Sequence, residues 1–590
     1  MNYPAASVRC IKNLCKKHAQ EAGNEPCRGS KRPVALSVRG RGGSAPWFCV
    51  PQGGWRREVT HKKGGSMRRF TILLLVAILS LVAAVSVIAQ GESKTLVVGL
   101  SEDYHSLDPS RAYEPGGSLI YHSVYNTLVT FPSDSVSEIL PSLAKSWDIS
   151  ADGTVYTFTL REDVRFSNGD PLTAGDVVFS FNRMKNLKDN PSFLADTIKS
   201  VTASDDHTVV MTLTSPDPSI LAKLVFDAFS IVDANVVKAQ GGTDAADAAG
   251  VDTAEQWFMD HSAGTGPYVL QSYEPTVRTV LVRNTNYWGE APYFDRIIIR
   301  NLPQPASQKM ALEAGDIDIS MDVTPDQVPS LEANKNIKVF STQSDTLIFL
   351  LCNEDSTIGG PMSNKLVQRA VRYAIDYEGF RELSGAGANS PAAMVPIGFA
   401  GALDPSEGIT RDLAKARDLL TQAGYPDGFK VNLEYPDFNY IGTDFSVVAQ
   451  KVQSDLAEAG ITVKLVPQEF QASLAAYRGG KQGFSLWLWN PDYYDTLDYV
   501  EFLPSGVVGN RANWTDANAD QEIIDLRNAV KVETDPQKRD DLFRQIQLYE
   551  QVNGPFTPLF QPGVHFAYNA DLKGFSYNGQ WRVDLTKLSF

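Results

Sequence analysis

Twenty residues from Phe70 to Ala89 carry no charge and follow directly on Met67-Arg68-Arg69. A basic start, an apolar stretch and the small residues Val87 and Ala89 together make a secretory signal with cleavage before Gln90. The stretch is also long enough to stay as an anchoring helix, because about 20 apolar residues can cross a bilayer. On either reading, everything beyond Ala89 is expected to fold on the outer side of a membrane. No cysteine follows closely, so a lipid-anchored start is not supported.

Charge and cysteine change at the same place. Residues 1–66 hold 13 Lys+Arg against 3 Asp+Glu, and the whole chain carries a net charge of −15, which leaves residues 90–590 at −27. A body this acidic has no basic footprint for nucleic acid. Cys10, Cys15, Cys27 and Cys49 precede Met67, and Cys352 alone follows it. The body therefore has no intramolecular disulfide, and Cys352 reads as a small core residue. The four early cysteines lack the short paired spacing of zinc knuckles. Residues 1–66 read as a mis-called N-terminal extension with the true start at Met67, and 67–89 as the signal peptide.

The body shows strand and helix periods in turn. Thr95–Leu100 is a short apolar strand, and Thr154–Leu160 alternates with period two. Ser167-Asn-Gly-Asp-Pro171 signals a turn. Thr173 is a helix N-cap with Asp176 at the third helical position. Ser118–Leu128 and the amphipathic Lys365–Ile375 predict helices, the second with Arg369 and Arg372 on its polar side. Arg411–Gly424 and Phe445–Gly460 predict helices closed by glycine, with a strand at Ile461–Val466. This alternation argues for an α/β fold, and no linker divides the body into beads.

Signatures of catalysis are missing. There is no phosphate-binding G-x-x-x-x-G-K-[ST], no G-x-S-x-G elbow and no H-E-x-x-H. Gly264-Thr-Gly266 lacks the third glycine of a dinucleotide turn. The five body histidines, His105, His122, His207, His261 and His565, show no ligand spacing. Gly315–Asp322 lacks the glycine and terminal Glu of a calcium loop and reads as helix end, turn and strand. Asn513-Trp-Thr515 matches a glycosylation sequon, which is common by chance. The chain is therefore read as a non-enzyme without metal or cofactor.

One stretch does carry recognition chemistry. Leu486–Tyr499 gathers Trp487, Trp489, Tyr493, Tyr494 and Tyr499 with Asp492, Asp495 and Asp498. Aromatic walls with carboxylates suit an amphipathic or cationic ligand, through stacking, cation–π attraction and charge-assisted hydrogen bonds. The alternative is a core in which the tryptophans pack and the aspartates cap a turn, and residue types alone leave both open.

Taken in order, several segments resemble the peptide/nickel class of ABC-transporter extracellular solute-binding proteins, the oligopeptide- and dipeptide-binding group. They are Leu140–Trp147, Ser150–Arg161 and Val164–Ser180, then Gly264–Tyr268 with Asn286–Gly289 and Pro292–Arg296. Ala311–Asp318, Val367–Asp376 and Ala414–Phe429 follow, and the likeness spans nearly all of 95–580. The resemblance implies a large two-lobed periplasmic-binding-protein-like α/β fold, a Venus flytrap with an extra subdomain inserted in the first lobe. Lobe I would comprise 93–132, 264–345 and 562–590, the inserted subdomain 133–263 and lobe II 346–561. Crossing segments near 345–352 and 556–562 would form the hinge.

The resemblance also implies a site. The family's Trp-x-x-Asp-Tyr-Pro-Asp-Pro-like stretch aligns with Trp489–Thr496, which gives Asp492 the role of binding a ligand α-amino group and Trp489 and Tyr493 that of walls. Asp495 would brace the loop. Tyr494 and Thr496 depart from the family's prolines. Tyr113, Glu114 and Tyr125 would face the cleft from the first lobe. Asn353 matches the Asn of the family's F-N-T turn, and Met394–Phe399 would line the cleft further on. The implied function is delivery: a monomer binds short peptides between its lobes and presents them to a membrane permease powered by a separate ATPase. A binder of an oligosaccharide, metal chelate, haem or opine on the same fold is the alternative. A secreted hydrolase is the third reading, and nothing in the sequence nominates its catalytic groups.

Overall fold

Short strands with alternating burial assemble three main sheets in this computed structural model, which describes residues 93–590 apart from Asp103, His105 and Glu114. The basic extension, the apolar stretch and Glu114 lie outside the described residues. No helix among the described residues is long and apolar enough to cross a membrane.

The four-stranded sheet is an antiparallel meander ordered Ala144–Ile149, Val155–Leu160, Thr208–Leu213 and Ile198–Asp205. Val155–Leu160 alternates half-buried with buried, as its period-two pattern requires of a strand with one wet face. Helix Ala174–Leu187 packs on this sheet. Its start is pinned by the Asp176 carboxylate, which accepts the Thr173 backbone N–H at 2.9 Å and the Thr173 hydroxyl at 2.8 Å.

The seven-stranded sheet draws on distant parts of the chain. Its order is Ile337–Gln343, Gly563–Asn569, Ile319–Ser320, Thr95–Leu100, Arg296–Asn301, Arg278–Arg283 and Tyr268–Glu274. Thr95–Leu100 pairs in parallel with both of its neighbours. The Gly264–Tyr268 punctuation serves packing here. A Cβ on Gly266 would stand 2.4 Å from the Val124 carbonyl carbon, so only glycine lets this segment lie against the end of helix Pro115–Val124.

The five-stranded sheet is ordered Ile461–Gln468, Phe429–Pro436, Phe484–Trp489, Leu347–Cys352 and Phe556–Phe560. All six residues of Leu347–Cys352 are buried, which explains an apolar run without alternation. Phe429–Pro436 and Ile461–Gln468 pair in parallel around helix Phe445–Ala459, and Gly460 ends that helix at φ +104°. Cys352 is buried in this layer, and burial pushes its thiol up to about 12, the behaviour of a core residue.

The chain passes between the two larger sheets at 344–346 and again at 561–562. These crossings are tied together: the Ser344 backbone N–H and hydroxyl both donate to the Pro562 carbonyl, at 3.0 and 2.7 Å, and Gln561 Nε2 donates to the Ser344 carbonyl at 2.9 Å.

Two sequence expectations change. The helix read as Ser118–Leu128 runs Pro115–Val124, because Gly116 and Gly117 lower the helical signal of its first turn. Arg372, placed on the polar side of Lys365–Ile375, is 2% exposed within helix Lys365–Ala374. Its Nη2 is drawn inward to the backbone carbonyls of Gly554 and Phe556, the second at 2.9 Å.

Candidate functional site

The loop after strand Phe484–Trp489 leaves the five-stranded sheet and meets residues of the other two units. Its geometry is set by Asp498, which is 1% exposed. Asp498 Oδ2 accepts the Trp489 indole N–H at 3.0 Å and the Asp492 backbone N–H at 3.1 Å. The tryptophan that ends the strand is thereby locked to the loop that follows. Asp495 caps the next turn by accepting the Leu497 N–H at 2.8 Å and pairs with Arg539. Asp495 and Asp498 thus hold the loop, and the Asp492 side chain points away from it.

Among the described residues, Asp492 is held by a single side-chain hydrogen bond, from Tyr113 Oη to Oδ1 at 2.8 Å, across 379 residues of sequence. Tyr113 lies between the rings of Phe193 and Phe226, at centroid separations of 6.2 and 6.4 Å. Tyr493 receives Lys223 over its ring at 4.8 Å, and Lys223 pairs with Asp217 at 2.8 Å. Arg511 lies over the rings of Tyr477 and Trp489 at 4.7 and 5.5 Å. The result is an aromatic enclosure around one under-partnered carboxylate.

Its electrostatics follow from burial. Desolvation raises Asp492 to about 6, against the opposing pull of the Tyr113 hydroxyl and Arg511. Asp498 is driven well above the usual carboxylate range by burial and by Asp492 beside it, and its Oδ1 has no partner. Tyr113 is shifted upward by burial and by the Asp492 charge, so it stays a neutral donor. A cation brought to Asp492 would relieve the destabilised carboxylate.

The sequence-based residues separate into two groups. Tyr113, Trp489, Asp492 and Tyr493 come together here. Asn353 does not. It follows the far end of strand Leu347–Cys352, whose near end Leu347 pairs with Trp489, and six steps along a strand put it about 20 Å away. Its Nδ2 donates to the carbonyls of Gly480 and Gln482, and its Oδ1 accepts from Asp355 N–H and Asn513 Nδ2. Asn353 therefore pins a turn, and the Asn513 of the apparent sequon is spent on the same turn. Tyr125 is also corrected: it is buried in the core of the seven-stranded unit, packed against Gly264. Glu114 lies outside the described residues.

Sequence reading missed Phe193, Phe226, Lys223 and Arg511. Each sits in an ordinary segment, and only the approach of separate units brings it to Asp492. Tyr494, where a proline was anticipated, points toward the crossing segments. Its hydroxyl donates to half-buried Asp345 at 3.2 Å, and its ring packs on Phe131 and Phe399.

Sheets joined by two crossings, with an aromatic cluster around a carboxylate beside them, are the architecture of a two-lobed binding protein. Residues 138–510 match the family described as bacterial extracellular solute-binding proteins, family 5 middle. The chain belongs to that family. It is 27% identical over 498 residues to the probable D,D-dipeptide-binding periplasmic protein DdpA of Escherichia coli K12, covering 82% of this chain and 91% of that one. It is also 27% identical over 459 residues to heme-binding protein A of Haemophilus influenzae, covering 74% and 81%. The solved structure of the ABC transporter-associated periplasmic binding protein DppA from Helicobacter pylori in complex with peptide STSA aligns at a TM-score of 0.68. That alignment has 26% identity and covers 84% of this chain and 97% of the other. The fold is the two-lobed fold of periplasmic binding proteins.

Proposed function

We propose that this protein is the exported receptor of an ABC importer, that it binds short peptides between its lobes, and that Asp492 receives the peptide α-ammonium. The observation that carries this reading is the Asp492 carboxylate itself, half-buried among rings, raised by desolvation and held by the Tyr113 hydroxyl. An ammonium supplies the charge that the enclosure lacks, and the rings of Trp489, Tyr493, Phe193 and Phe226 accept varied side chains. Lobe I comprises 93–132, 264–345 and 562–590, the inserted subdomain 133–263 and lobe II 346–561. The seven-, four- and five-stranded sheets, which draw their strands from these segments, support that division. Closure of the lobes buries the peptide and creates the surface read by a membrane permease, whose ATPase is a separate chain. Relatives named for peptides and a neighbour bound to one support the ligand class.

Two measurements test it. Denaturing the purified protein and identifying the released small molecules by mass spectrometry should give short peptides with free N-termini. A titration should then show free-amine peptides binding and their N-acetylated forms binding weakly. Release of haem, a sugar or a chelate, or equal binding of acetylated and free peptides, would discard the peptide reading and the role of Asp492.

A further inference from the structure

A cavity of about 320 Å³ lies within the five-stranded unit, and none of its lining residues belongs to the aromatic cluster around Asp492. Its walls come from helices Lys365–Ala374, Tyr377–Ser384 and Pro536–Asn553, strand Phe556–Phe560 and the segments 390–394 and 405–411. At roughly 30 Å³ per water, it has room for about ten water molecules or one small metabolite.

Two charged side chains in its lining are buried and unspent. Arg372 is 2% exposed and gives Nη2 to backbone carbonyls, but its Nη1 has no partner. Glu550 is 5% exposed, and its Oε1 has no partner. The two influence each other electrostatically, yet no ion pair joins them among the described residues. The other charges at the cavity are already taken: Asp376 by Lys451 at 2.8 Å, Arg411 by Glu458 at 2.7 Å and Arg381 by Glu378. Buried polar atoms of this kind are costly unless something satisfies them. Met394, Phe556 and Pro558 line the apolar remainder.

A donor cation and an acceptor carboxylate beside apolar side chains match one ligand chemistry. We propose that this cavity is a second, intralobe site for a free α-amino acid with an aliphatic or thioether side chain. Both atoms are screened from the cavity by their neighbours, so each side chain would turn to meet the ligand: its carboxylate would take Nη1 of Arg372, its ammonium would take Oε1 of Glu550, and its side chain would lie against Met394, Phe556 and Pro558. Burial pushes Glu550 up to about 8, so the side chain is mostly protonated at neutral pH without a cation and ionises when an ammonium arrives. Binding at neutral pH then releases a proton.

The test is calorimetric titration of the purified protein with L-leucine or L-methionine alone, in two buffers of different ionisation enthalpy. Saturable binding with one equivalent and net proton release is expected. Glu550→Gln should weaken it at least about tenfold and abolish the proton release, because a hydrogen bond between charged groups is lost. Leucinamide and N-acetylleucine, each lacking one charge, should weaken similarly. Asp492→Asn should leave leucine binding intact, which separates this site from the peptide enclosure. If Glu550→Gln alters the circular dichroism spectrum, Ala393→Leu fills the cavity without touching either charge and should also abolish binding. No binding at millimolar amino acid, or binding insensitive to Glu550→Gln and Ala393→Leu, or binding lost in Asp492→Asn, would overturn the proposal.

Discussion

Two groups of buried charge stand in opposite condition. On helix Ala174–Leu187, Arg183 is fully buried and spends its guanidinium on Asp108 at 2.8 and 2.6 Å, Asp252 at 2.8 and 2.9 Å and Ser110 at 3.0 Å. Its hydrogen bonds to Asp252 hold that carboxylate below the usual range despite burial. At the enclosure, Asp492 has one hydroxyl donor and Asp498 keeps an unpartnered oxygen, and both are raised. The same residue type is a rivet in one place and a receptor in the other. The difference is how much of its hydrogen-bonding capacity the fold itself consumes.

Four substitutions or conditions sharpen that contrast. Arg183→Met should destabilise the protein by about 3–5 kcal/mol, because it leaves two buried carboxylates uncompensated. A chemical-denaturation curve measures it, and a loss under 1 kcal/mol would break the comparison. Asp492→Asn should leave the denaturation midpoint unchanged or slightly higher and cost free-amine peptides about 1.5–3 kcal/mol of affinity. N-acetylated peptides should lose little, and equal loss for both would remove the amine role.

The pH dependence of binding comes next in size. Asp492 sits at about 6, and only its ionised form attracts an ammonium. Affinity for free-amine peptides should therefore hold above pH 6 and fall about tenfold for each unit below it. Asp492→Asn should flatten that slope. Stability runs the other way: a carboxyl raised in the folded state favours folding most below its unfolded pKa, and this contribution is lost as pH rises toward 6. The smallest effect is that of Tyr113→Phe, which removes one hydrogen bond and should change peptide affinity by about 0.5–1.5 kcal/mol. Small-angle scattering of the ligand-free protein should shift toward a more open population in that variant.

Local features were the legible ones. Thr173 with Asp176, Gly460 and the alternation at 155–160 each depend on neighbours within a few residues, and each stands where the sequence puts it. Helix Pro536–Asn553 was passed over, although Asp535 caps it and a proline opens it. Its buried stripe is narrow, Phe543, Ile546, Gln547, Tyr549 and Glu550, and apolar Leu542, Leu548 and Val552 fall among charged and polar residues outside it, so its apolar period is faint. Arg372 misled for a related reason: a periodic pattern reads an arginine as solvent-facing, and only the carbonyls of Gly554 and Phe556, brought up by another segment, turn it inward. Asn353 matched a family turn and Tyr125 was expected to face the cleft, yet the Gly480, Gln482 and Asn513 contacts of Asn353 and the Gly264 packing of Tyr125 come from distant segments.

The sequence by itself determined the acidic body with its one cysteine, the α/β alternation and the one stretch, 487–499, where carboxylates and rings are concentrated. These are properties of composition and short spacing, which act before any long-range contact forms. The tertiary structure decided which partners each carboxylate has. Asp492, Asp495 and Asp498 are near neighbours in the chain; residue type does not distinguish them, and only the family resemblance singled out Asp492 and Asp495 in the sequence. Asp495 is taken by Arg539, Asp498 by Trp489 and the loop backbone, and Asp492 faces Tyr113 from 379 residues away. Burial and partner count are set by the approach of separate units, so the chemistry of each carboxylate was fixed only when the sheets met.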